Sequence, residues 1–125
     1  MGGRIERNTH ITRNDTVSEL SAVLADMEEM KRLHRQGDWD NLLRKYSGVR
    51  NSLTRIKASN TELYSGQKEA LTGAIQQFHD MERIGERALV GKKIGASPAK
   101  LNEIVSTQVD KLNEMLIQIK NQIGR

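Results

Sequence analysis

Leu33-His34-Arg35-Gln36-Gly37-Asp38-Trp39-Asp40-Asn41-Leu42-Leu43 decides how this chain folds. Arg35 and the residues before it place positive charge at the carbonyl end of a helix, and Gly37 supplies the stop. Asp38 has the short side chain of an N-cap, with Trp39 and Asp40 opening a second helix directly behind it. A connection of one or two residues leaves no room for a crossover, so the two helices form an antiparallel hairpin.

Apolar spacing extends this reading in both directions. Upstream, Val17, Leu20, Val23, Leu24, Met27 and Met30 step mostly by three and four, one face of a helix. Thr16 and Glu19 have capping-box spacing and place its start near residue 16. Downstream, Trp39, Leu42, Leu43, Tyr46, Val49, Leu53 and Ile56 form the cleanest stripe in the chain. Ala58-Ser59-Asn60-Thr61 interrupts it. Tyr64, Leu71, Ile75, Phe78, Met81, Gly85 and Leu89 make a third stripe, in which Gly66, Gly73 and Gly85 predict close helix contact or a bend. After the loop Gly91-Lys92-Lys93-Ile94-Gly95-Ala96, Ser97 caps and Pro98 occupies a first helical position, where it loses no hydrogen bond. Leu101, Ile104, Val105, Leu112, Leu116, Ile119 and Ile123 complete a fourth stripe. The expected fold is all-α: an antiparallel up-down-up-down four-helix bundle over 15–125, with helices at about 16–36, 38–58, 62–90 and 98–123. Residues 1–14 are polar and without period, and are expected to form a flexible tail.

The chain has 125 residues, of which 36% are hydrophobic but only 3% aromatic, a composition suited to helices packed on helices. It has no Cys, which excludes a disulfide scaffold, a thiol nucleophile and Cys-ligated metal. No apolar run reaches the roughly 20 residues of a membrane span, so a soluble chain is expected, with any targeting peptide already removed.

The residues offer little catalytic chemistry. A di-iron bundle needs Glu three residues before each ligand His, but Lys31 precedes His34 and Gln76 precedes His79 at that spacing. Met27, Met30, Met81 and Met115 read as core filler rather than haem ligands. His34 lies in a basic run and is expected at the surface, and His79 at the edge of its stripe. Gly91-Lys92-Lys93-Ile94-Gly95 lacks phosphate-loop spacing and follows a helix instead of a strand. The expectation is no enzyme, no bound cofactor and no metal.

Charge is unevenly distributed. Residues 31–57 hold eight basic side chains and two acidic ones, a net of +6, while the rest of the chain is −2 against an overall +4. Arg44, Gly48, Asn51 and Arg55 form a line on the second helix opposite the Trp39–Ile56 stripe, with Gly48 leaving a flat stretch between two arginines. Such a line is either an ordinary solvated face or a docking ridge for an acidic partner. Nucleic acid is disfavoured, since all four aromatics fall on or near core stripes and none is interleaved with the basic residues for base stacking. The docking candidates are Arg44, Arg50, Arg55, Lys92 and Lys93; Trp39 and Tyr46 are the expected core anchors.

From Met30 to Ile119 the chain resembles the PsbQ family, extrinsic oxygen-evolving-enhancer subunits of photosystem II. The resemblance rests on the short turn and Trp39 opening a long basic helix. It rests also on the rhythm Tyr46…Val49-Arg50…Leu53…Ile56, and on Ser97-Pro98 starting a last helix that runs through Val109-Asp110-Lys111-Leu112-Asn113-Glu114-Met115-Leu116. It implies a non-catalytic subunit, monomeric when free, in the chloroplast thylakoid lumen. Such a subunit docks on the lumenal face of photosystem II beside the inner antenna proteins and other extrinsic subunits, joins the membrane only through proteins, and helps retain calcium and chloride. The matched positions are Trp39, as a core anchor, and Arg44, Arg50 and Arg55, on the docking side. The chain departs from the land-plant form in having no Pro-rich arm, its single Pro being Pro98, and from the cyanobacterial precursor in having no lipid-bearing Cys; a mature algal form fits best. The same stripes would serve a trafficking or secretion adaptor unrelated to photosynthesis or, less well, a small nucleic-acid-binding bundle.

Overall fold

In the computed structural model, residues 13–59, 63–91, 93, 95 and 97–123 are described; most of the sequence-defined tail, 1–12, and Lys92 lie outside them. Four helices fill this span: α1 (Arg13–Gln36), α2 (Trp39–Ser59), α3 (Ser65–Leu89) and α4 (Pro98–Ile123).

The hairpin between α1 and α2 is built as its sequence requires. Gly37 adopts a left-handed φ of 69°, open to glycine at no steric cost. Its N–H donates to the His34 carbonyl at 3.2 Å, and the Asp38 N–H donates to the Leu33 carbonyl at 3.1 Å. These two bonds satisfy carbonyls that the helix end would otherwise leave free. Asp38 Oδ1 accepts from the Asn41 N–H at 3.3 Å, so one residue closes one helix and caps the next. At α4, Ser97 Oγ accepts from the Lys100 N–H at 3.1 Å, with Pro98 as the first helical residue.

Two helix starts differ from the sequence expectation. α1 begins at Arg13, three residues before Thr16, so Thr16 is buried inside the helix and does not cap it. Glu19 pairs instead with Arg55 across the hairpin, a cross-helix contact that local spacing does not reveal. α3 begins at Ser65, where the Tyr64 N–H donates to Gln67 Oε1 at 2.8 Å. Tyr64, outside the helix, is 63% exposed, and Leu89 in the last turn is 47% exposed, so neither belongs to the core stripe.

Burial follows steps of three and four. On α2 the buried positions are Leu42, Tyr46, Val49, Leu53 and Ile56; on α3 they are Gln67, Leu71, Ala74, Phe78, Met81 and Gly85. This is the knobs-into-holes spacing of coiled coils and antiparallel bundles. α1 packs against α2 and α4, α2 also against α3, and α3 and α4 meet least. The helices that pack most run antiparallel: Asp26 on α1 meets Lys45 on α2, Arg50 on α2 meets Glu82 on α3, and His34 near the end of α1 meets Asn102 near the start of α4.

Gly85 is the one glycine of α3 that permits close approach. A Cβ there would lie 3.2 Å from Leu43 Cδ1 and 3.6 Å from the Tyr46 ring. Gly66 and Gly73 face open space, so the close contact expected at them is absent.

Candidate docking face

The row that the sequence places opposite the α2 core stripe faces solvent. Arg44, Gly48, Asn51 and Arg55 are all exposed, and a Cβ on Gly48 would meet nothing within 4 Å. Beside the row lies a shallow cleft between α1 and α2, lined by Asp26, Glu29, Arg32, Asn41, Arg44 and Lys45.

The structure redistributes the +6 of this stretch. Lys45 pairs with Asp26 at 2.9 Å and Arg55 with Glu19, both acids from α1. Arg44 reaches Asp40 one turn back at 3.6 Å. Arg32 holds Glu29 at 2.5 Å, and this hydrogen bond keeps the Glu29 carboxyl below its ordinary titration range. The face is a mosaic of paired charges and not an open positive field. Except for Asp40, the acidic partners on this face sit on α1, outside the segment whose composition looked so basic.

The docking candidates therefore separate. Arg44 and Arg55, with side chains 76% and 54% exposed, flank the flat stretch. Arg50 turns to the α2–α3 seam and grips Glu82 through two guanidinium nitrogens, Nη2 to Oε1 at 3.3 Å and Nε to Oε2. That bond holds the Arg50 guanidinium above its ordinary value and makes it a seam residue. Lys93 is exposed in the connection before α4, where its carbonyl accepts from Arg87 Nε and Nη2 at 3.2 and 3.0 Å, apart from the row. Lys92 lies outside the described residues.

The two expected anchors also differ. Tyr46 is completely buried, its ring 6.3 Å from that of Phe78. Trp39 is only partly buried, packed against the edge of the core. It is the first residue of α2, directly after the turn at Gly37 and Asp38.

The largest departure is His34. It is 1% exposed, not at the surface, and joins three helices. Nδ1 lies 2.8 Å from Asn102 Oδ1 and Nε2 lies 2.5 Å from Tyr46 Oη. Asn102 Oδ1 can only accept, so Nδ1 carries the hydrogen and Nε2 accepts from the Tyr46 hydroxyl. The Trp39 ring stands edge-on, 6.3 Å between centroids. Burial lowers the His34 pKa, opposed in part by the Asn102 bond, and burial raises that of Tyr46. The signal was in the spacing, since His34 falls four residues after Met30 and seven after Met27, on the buried stripe. His79, by contrast, is exposed.

Among the described residues, no group of three or more His, Asp or Glu side chains is placed to hold a metal ion, and no helix is long and apolar enough to cross a membrane. Tyr64 is an exposed aromatic that the sequence placed on a core stripe, but it precedes α3 and lines a shallow depression with Lys111, Glu114 and Gln118 of α4. Compared with known proteins, the chain matches no protein-family model, no curated protein and no solved structure.

Proposed function

We propose that this chain is a non-catalytic docking subunit that presents the outer face of the α1–α2 hairpin to an acidic protein surface. One observation carries the reading: two exposed arginines, Arg44 and Arg55, flank a stretch where Gly48 adds no side chain and nothing stands above the backbone. A partner backbone can approach closely there while its carboxylates reach both guanidinium groups. The intramolecular pairs do not stand in the way. Exposed ion pairs are worth about 0–1 kcal/mol, so Asp40 and Glu19 can be exchanged for a partner's carboxylates at small cost.

The finer reading rests on the sequence resemblance alone. The partner is the lumenal face of photosystem II, in the thylakoid lumen, where the bundle stabilises the oxygen-evolving complex and helps retain calcium and chloride without binding a cofactor itself.

Rebinding of the full chain to salt-washed photosystem II membranes tests both levels. The wild-type chain should rebind, and less so as salt rises. Gly48→Gln fills the flat stretch without changing any charge and should weaken rebinding by about tenfold, equivalent to about 1.4 kcal/mol. A folded wild-type chain that does not rebind removes photosystem II as the partner. Rebinding that is indifferent both to Gly48→Gln and to joint reversal of Arg44 and Arg55 to Glu removes this face.

A further inference from the structure

The carboxyl end of α3 carries apolar side chains that the bundle leaves uncovered. Leu89, the last helical residue, is about half exposed, and Val90 directly after it is 68% exposed. Gly85, one turn earlier, packs against Leu43 and Tyr46 in the first two turns of α2. Leu89 and Val90 therefore lie at the end of the bundle that holds the α1–α2 turn. α4 starts at that end too, where Asn102 meets His34 of the last turn of α1.

The connection after Val90 is clasped to α3. Gly91 and Gly95 take left-handed φ values of 77° and 70°, and Arg87 donates from Nε and Nη2 to the Lys93 carbonyl. The clasp uses the backbone of Lys93, and Lys93 itself is exposed. Ile84, Arg83, Arg87 and Val90 line a shallow depression beside it, shared with Asp80 and Glu86.

Charge at this end differs from that of the hairpin face, where the basic side chains are paired. Arg35 on α1, Arg83 and Arg87 on α3, and Lys93 are exposed, and none has a carboxylate partner among the described residues. Against them stand Glu86, exposed, and Asp38, which bonds Asn41. Asp80, further from the end, bonds Gln76, while Asp40, Glu82 and Glu103 are paired with Arg44, Arg50 and Lys100. The end keeps a positive excess beside its two aliphatic side chains.

This combination fits one kind of surface. Two aliphatic side chains are too few for the core of a stable protein interface, which buries about 800 Å² on each partner and is depleted of lysine. They suit the boundary between lipid headgroups and acyl chains, with Arg and Lys beside them to meet lipid phosphates. We infer that this end of the bundle docks directly on an anionic lipid surface: Leu89 and Val90 enter the headgroup–acyl boundary while Arg83, Arg87 and Lys93 lie against phosphates and Arg35 adds to the attraction. The contact is separate from the arginine row of α2 and does not rest on it.

Sedimentation of the intact chain with lipid vesicles tests the contact. The chain should bind vesicles of phosphatidylcholine mixed with phosphatidylserine, be released from them as salt rises, and ignore vesicles of phosphatidylcholine alone. Joint Leu89→Ser and Val90→Ser removes no charge, alters exposed side chains only, and should lower the partition coefficient by about tenfold. Joint Arg83→Gln and Lys93→Gln keeps the carbonyl that Arg87 holds and should lower it by about fivefold per cation removed. Gly48→Gln, which fills the flat stretch of the hairpin face, should leave vesicle binding unchanged, so the two surfaces can fail separately. Absence of binding to the anionic vesicles, as expected if an acidic protein covers this end instead, would overturn the inference. So would equal binding to both vesicle types. Binding indifferent to Leu89→Ser and Val90→Ser would overturn it as well, since it would reflect only diffuse attraction of a basic chain.

Discussion

His34, Tyr46 and Asn102 illustrate how much depends on one step of helical spacing. His34 continues the buried series Met27, Met30 on α1, so its ring enters the bundle although Arg32 and Arg35 stand within two residues of it. Composition pointed outward and periodicity pointed inward, and periodicity prevails because the side chain's direction is fixed by the helix. Gln67 and Gln108 follow the same rule, each buried at the stripe spacing of Leu71 and of Val105 and Leu112. Once inside, a polar group is stabilised by a partner, and Tyr46 is positioned to supply one for His34, whereas Gln67 Nε2 is buried without one. Tyr46→Phe keeps the ring and removes the hydroxyl, leaving Nε2 buried without a donor. It is expected to cost about 1–3 kcal/mol in urea unfolding with an unchanged denaturant slope. A loss below about 0.5 kcal/mol would mean that the hydroxyl does not serve Nε2.

At the scale of the helices, the sequence was most readable where local chemistry acts alone. Gly37, Asp38, Ser97 and Pro98 mark their helix ends through contacts with the adjacent backbone, and all four stand where that chemistry requires. Legibility fails where a residue answers to another helix. Thr16 and Glu19 have the right spacing for a cap, yet α1 starts earlier and Glu19 is drawn to Arg55 on α2. Arg50, read as a docking residue, is committed to Glu82 on α3, a partner 32 residues away. The glycines of α3 look alike in sequence and differ only in what lies opposite. Gly73→Ala adds a methyl group in open space and should stabilise the chain by about 0.5–1 kcal/mol, through the better helix propensity of Ala. Gly85→Ala meets Leu43 Cδ1 at 3.2 Å and should gain less, or lose stability. Equal gains at the two sites in denaturant unfolding would argue against close packing of α2 on α3 at Gly85.

For the molecule as a whole, the basic segment and the acids of α1 have to be considered together. α1 supplies Glu19, Asp26 and Glu29 within reach of basic side chains, so much of the charge excess of residues 31–57 is neutralised in place. What remains distinctive of the outer hairpin face is its relief, a flat stretch between two exchangeable arginine pairs. The register of α1 against α2 and α4 underlies both this face and the buried histidine. It also makes stability depend on pH. The His34 ring titrates below its ordinary value of 6.5 in the folded chain, so the unfolded chain binds the extra proton. Stability is therefore complete above about pH 6.5 and declines as pH falls toward the lowered folded value, by at most about 1.4 kcal/mol per pH unit. Nitrogen-15 NMR of the His34 ring in the intact chain tests this placement directly. A neutral ring protonated at Nδ1, with a pKa below 6.5, is expected. A ring that titrates at or above 6.5, with its hydrogen mainly on Nε2, would contradict the burial of His34 and the helix register built around it.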